Sequence, residues 1–206
     1  MPRPIEFDRD DTLRRAMTVF WRQGYHATSI RDLIAATQLQ PGSLYGAFRN
    51  KRSLFIAALD AYFAGIRERI QACLHTQHSP LGQLRVFFDR LIDEAVADAD
   101  SKGCLLVNTL LEMPAEDAEI NQRVCAMFTE VEAEFERVLR EARDRGELAA
   151  DRDPVALARL LIVGIYGLRV YHKTRPGAAC LHEIVDGLFT ALGVTGPLDA
   201  APGASR

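Results

Sequence analysis

The sequence predicts an all-α fold, with an N-terminal three-helix domain containing a helix-turn-helix, followed by a larger helical-bundle domain. Three observations carry this expectation. Apolar residues recur at helical period along most of the chain. Glycines and prolines fall at the ends of those stretches, where helices stop and start. Between Thr28 and Phe55 the run TSIRDLIAATQLQPGSLYGAFRNKRSLF holds two short helical patterns joined by a tight turn, with a third beginning at once.

The bulk numbers agree with a small module plus a larger body. At 206 residues the chain lies between one and two domains, and 48% hydrophobic with 26% charged residues is enough to build a sizeable core. No apolar run approaches the ~18 residues of a membrane span, and MPRPIEFDRDD has no apolar signal region, so a cytoplasmic location with no membrane partner is expected. Cys73, Cys104, Cys125 and Cys180 are far apart and form no CxxC pair, as expected of thiols in a reducing compartment. Neither a GxGxxG, a P-loop nor an HExxH occurs, and the five histidines have no metal-binding spacing; no metal, cofactor or enzymatic activity is expected. Net charge is −3, but it is unevenly spread. Up to Phe55 nine basic residues face five acidic ones, a net of +4, which leaves −7 for the remainder. This is either an end that seeks phosphate on a body that avoids it, or chance scatter of solvated charge.

From Asp8 to Gln23, Leu13, Ala16, Met17, Phe20 and Trp21 form one apolar stripe, and Gly24 stops the helix. Thr28 or Ser29 caps the next helix, whose inner face carries Ile30, Leu33, Ile34 and Thr37. Gln38 and Leu39 make the turn. Pro41 suits the first turn of the following short helix, which turns Leu39, Leu44 and Phe48 inward and leaves Gln40, Ser43, Tyr45, Gly46 and Ala47 outward.

Such a second helix has the shape to enter a DNA major groove while the first crosses the backbone. The hydroxyls of Thr28, Ser43 and Tyr45 can donate to phosphate oxygens, and Lys51 stands where a new helix begins. Gln40 has the side-chain amide that pairs with adenine, and Gly42 with Pro41 completes the opening turn.

These residues, with the Gly24-Tyr25 ending of the preceding helix, resemble the DNA-binding domain of the TetR/AcrR family of one-component transcriptional regulators. The matching positions are Phe20, Gly24, Tyr25, Thr28, Ile30, Leu33, Ala35, Leu39, Gly42, Leu44, Tyr45, Phe48, Lys51, Leu54 and Phe55. Two departures stand out: Gln38 replaces the glycine common in the turn, and Pro41 the polar residue common at the opening of the reading helix. The resemblance implies a homodimeric regulator, expected to act as a repressor on a near-palindromic double-stranded operator and to be released by a small-molecule or thiol-reactive effector. A helical carrier or enzyme retaining a vestigial reader is the alternative.

The expected partition is residues 1–55 for DNA binding, 56–193 for ligand binding and dimerisation, and 194–206 as a flexible tail. The body's helices are expected at Arg52–His75, Leu81–Ala99, Cys104–Met113, Ala118–Arg145, Val155–Tyr171 and Cys180–Leu192. The last two are rich in exposed-length apolar residues and carry Gly164, Gly167 and Gly187, a pattern of an interface as much as of a core. In the resembling family these two helices pair with their copies. Candidate effector contacts are Phe88, Cys104, Asn108, Met113, Phe128, Tyr166, His172 and Lys173. Cys104 opens a short helix whose dipole favours a thiolate, and GCLLVNTLLE resembles a subgroup whose members sense electrophiles through a cysteine here; the other reading of Cys104 is a small buried hydrophobe.

Overall fold

A computed structural model of the chain describes residues 8–114 and 117–194. Its helices are α1 (Arg9–Gln23), α2 (Ile30–Thr37), α3 (Pro41–Phe48), α4 (Lys51–Leu74), α5 (Pro80–Ala97), α6 (Leu105–Glu112), α7 (Ala118–Asp144), α8 (Pro154–Tyr171) and α9 (Ala178–Ala191), with a 3-10 turn at His172–Thr174. No strand occurs among the described residues. Apart from Val194, the expected tail lies outside them.

The contacts divide the chain into two units, the first made of residues through Gly65 together with Leu105–Val124, the second of Ile66–Cys104 with Cys125 onward. This differs from the contiguous boundary expected at residue 55. The reason is packing from a distance: α6 and the start of α7 supply partners to the N-terminal helices, and nothing in local periodicity announces that.

In the first unit the predicted stripe is the core. Ala16, Phe20 and Leu33 are fully buried, and the Phe20 ring meets Phe55 edge-on at 4.9 Å between centroids. Local chemistry fixes each helix end. Asp8 caps α1 by accepting from the N–H groups of Asp10 (2.9 Å) and Asp11 (3.1 Å). Ser29 caps α2 in a full capping box, its hydroxyl accepting from Asp32 N–H at 3.2 Å while the Asp32 carboxylate accepts from Ser29 N–H at 2.8 Å. The Ser29 hydroxyl, and then its backbone N–H, hold the Asp32 carboxyl below its usual pKa. Gln38 ends α2 in the left-handed region at φ 59°, the conformation that makes glycine the easier residue there.

In the second unit an aromatic cluster sits at the centre. Phe87 and Phe135 lie 5.2 Å apart, and Phe88 meets Phe189 at 5.8 Å, all edge-on. Ser79 caps α5, and the Gln83 side chain donates to the carbonyls of Thr76 (3.0 Å) and His78 (3.1 Å), so the polar linker after α4 is tied down by α5. Helices α8 and α9 approach closely at Gly164, where a Cβ would stand 2.6 Å from Leu188 Cδ1.

One sequence expectation needs correction here. The stretch Pro154–Thr174, which holds an 18-residue window of mean hydropathy 1.5, is by length and composition apolar enough to cross a membrane. Its arginines are nonetheless paired within the second unit: Arg159 with Glu132 at 3.0 Å, and the buried Arg169 with Glu94 at 3.1 Å. Such charge pairing fits a helix packed in protein.

Candidate nucleic-acid interface

The reading helix α3 begins at Pro41, whose missing N–H costs nothing in a first turn. Leu44 and Phe48, at 3% and 4% exposure, pin it to the core and so set which residues face out. Gln40, Pro41, Gly42, Tyr45 and Gly46 are exposed, while Ser43 and Ala47 are half-buried. Gln40 occupies the N-cap position, yet its side chain makes no capping hydrogen bond. The amide is therefore not spent on its own helix.

Thr28 is placed differently from its expected outward role. It is 1% exposed, and its hydroxyl donates to the Gly24 carbonyl at 2.5 Å. A buried hydroxyl bound to the end of α1 braces the turn and has no reach to a phosphate. The capping role open to either Thr28 or Ser29 falls to Ser29.

Lys51 opens α4. Asn50 caps this helix through its carbonyl side chain, which accepts from Ser53 N–H at 2.8 Å. The Lys51 ammonium lies 4.4 Å from the centroid of the Tyr25 ring and 3.4 Å from the His26 carbonyl oxygen. Among the nearby arginines, Arg14 and Arg15 pair with Asp11, and Arg52 pairs with both Asp117 and Glu119. The Asp117 carboxylate first, and Glu119 second, push the Arg52 guanidinium above its usual pKa; Arg52 in turn holds Asp117 low. Arg31 and Arg49, absent from the sequence-based set, are exposed on α2 and at the end of α3. Their charge was visible in the sequence; which basic residues were already committed internally was not.

The body candidates are scattered. Asn108 and Met113 fall in the first unit. Phe88 is fully buried in the aromatic cluster. The Phe128 and Tyr166 rings meet at a tilt, 4.6 Å between centroids, and burial first, then the proximity of Cys104, Glu132 and Cys125, raises the Tyr166 phenol above its usual pKa. Phe128, Tyr166 and Cys104 are thus brought together in the second unit. Cys104 is 7% exposed and directly precedes α6. His172 is buried with neither ring nitrogen hydrogen-bonded, and Lys173 is exposed. A small crevice lined by Leu91, Ile92, Ala95, Leu168, Arg169 and Leu181 contains none of these candidates.

Comparison with known proteins decides the identity of this reader. Residues 13–58 match the family described as bacterial regulatory proteins, tetR family, and residues 80–184 match the tetracyclin repressor-like C-terminal domain. The transcriptional repressor ComR of Escherichia coli is 30% identical over 86% of this chain and 84% of its own length. The chain belongs to the tetR family of bacterial regulatory proteins. Another relative, the HTH-type transcriptional regulator YezE of Bacillus subtilis, is 32% identical over 90% of this chain and 96% of its own. Among solved structures, a cysteine mutant of the tetR-family regulator CifR, complexed with 26-base-pair operator DNA, is 31% identical with a TM-score of 0.82 over 92% of this chain and 99% of that one. The tetR membership makes this chain a helix-turn-helix transcriptional regulator of all-α fold, within a family of regulators and not of enzymes.

Proposed function

We propose that this regulator is a repressor that binds a near-palindromic operator as a homodimer and leaves it when an effector engages the second unit. The observation that carries the DNA-binding half is the outward face of α3, which exposes Gln40, Pro41, Gly42 and Tyr45 with Ser43 half-buried among them, and Lys51 opens α4 three residues after α3 ends. Gln40 is the residue assigned to a base edge. Tyr45, Ser43 and Lys51, with Arg31 and Arg49 added, are assigned to phosphates, which fix register without reading sequence. A gel shift against DNA flanking its own gene tests this: a salt-sensitive complex at an upstream palindrome is expected, and its absence at every such site overturns the proposal. Replacing Lys51 by Ala is expected to weaken binding to all sequences alike and to lower the slope of log affinity against log salt by about 0.9 for each copy. Selective loss at one base position contradicts a phosphate role.

Support for the dimer comes from α8. Leu160, Val163 and Val170 are exposed at 37%, 63% and 47%, and with the open Gly167 they fall at i, i+3, i+7 and i+10 on one helix face. Two such faces across a two-fold axis bury an apolar stripe, and the two readers then meet half-sites roughly 34 Å apart.

For the effector, the neighbourhood of Cys104, Phe128 and Tyr166 is the strongest assignment, with a thiol-reactive or small-molecule signal as its occupant. Operator release by an electrophile is expected in the native protein and not in Cys104→Ser. Equal release in both sinks the thiol assignment.

A further inference from the structure

The first unit contains a carboxylate that arrives from far along the chain. At the C-terminal end of α6, Glu112 accepts from the backbone N–H of Tyr25 at 2.8 Å through Oε2 and from that of His26 at 2.6 Å through Oε1. It grips the turn between α1 and α2 with both oxygens. Gly24 makes room for it: a Cβ there would stand 2.6 Å from Glu112 Oε2, and the residue holds φ +82°. The two residues whose N–H groups Glu112 holds are the same two that hold Lys51, Tyr25 by its ring and His26 by its carbonyl. One peptide turn thus has a carboxylate on its N–H side and the Lys51 ammonium on its ring and carbonyl side.

We propose that Glu112 is a positioning residue for DNA binding, acting through the Tyr25–His26 turn to hold the Lys51 ammonium where it meets a phosphate. The inference rests on the assignment of Lys51 as a phosphate contact. The alternative role for Glu112, a negative charge near a phosphate-binding face, makes the opposite prediction. If charge were its whole effect, removing it would strengthen DNA binding. Positioning requires that removal weaken it.

Glu112→Gln keeps the shape and removes the charge, but in the same pose one of the two accepting oxygens becomes an NH2 that faces an N–H donor. Operator affinity is expected to fall on the order of fivefold. The salt slope should fall as it does in Lys51→Ala, and in the Lys51→Ala background the Glu112→Gln effect should shrink to under about twofold. Glu112→Asp, which retains the charge but draws it back by one methylene, should also weaken binding, and it serves as the second variant if the glutamine form melts below the assay temperature. Asp60→Asn, which breaks the 2.8 Å pair with Arg123 in the same unit, is the control for a merely structural anchor and should leave the salt slope unchanged. Unchanged or stronger binding in both Glu112 variants overturns the proposal, as does full additivity with Lys51→Ala. If Lys51→Ala itself leaves operator affinity and salt slope intact, it is the phosphate assignment that fails, and the positioning role with it.

Discussion

Val163→Glu is expected to split the dimer and, with it, operator binding. Val163 is 63% exposed in the single chain, at the middle of the apolar face of α8. In a two-fold contact the same substitution places two carboxylates against each other in a desolvated seam, an unpaired burial that costs several kcal/mol, roughly 3 or more. Linking two readers makes the second half-site contact intramolecular, so losing the link weakens operator affinity by roughly 10²- to 10⁴-fold. Sedimentation should report a folded monomer, and the helical circular dichroism should be retained. A dimer that survives with native affinity removes α8 from the interface.

The second large effect is on stability. Phe88 is fully buried and contacts Phe87, Phe135 and Phe189. Phe88→Ala should destabilise the second unit by about 3–5 kcal/mol, from lost transfer energy plus a cavity that the surrounding rings cannot collapse to fill. For a chain of this length that corresponds to a fall in melting temperature of roughly 6 to 20 °C. The same measurement separates packing from ligand contact. A residue that lines an effector site loses effector response on truncation with little change in melting.

Most of the helix plan was legible because its signals are local. A cap at Thr28 or Ser29, Pro41 and Gly24 each act within a turn of the chain, and α1, α2 and α3 begin or end within a few residues of where those signals place them. The inward face of α3 was legible for the same reason: Leu44 and Phe48 are one turn apart. Thr28 was not, since a hydroxyl at the end of a loop serves a phosphate or a carbonyl equally well until the turn closes on Gly24. Pairings across 87 residues, as between Tyr25 and Glu112, or across 65, as between Arg52 and Asp117, leave no periodicity to read. Nothing local marks Asp117 and Glu119 as partners of Arg52, so the count of basic residues overstated the charge left for DNA. The effector candidates were the least legible, because an apolar residue on a helix face looks the same whether it meets Phe135 or a ligand.

The discontinuous make-up of the first unit also governs its birth on the ribosome. After Gly65 has emerged, Leu105–Val124 must still be synthesised before Glu112, Asp117 and Arg123 can engage Tyr25, Arg52 and Asp60. At bacterial elongation rates that interval is roughly 3 to 12 seconds. During it the nascent N-terminal helices carry an unclasped turn, with Arg52 and Asp60 still waiting for their partners. A nascent chain stalled before residue 105 should therefore expose the Gly24–Ala27 turn to proteolysis, and one stalled with residue 124 clear of the exit tunnel should protect it.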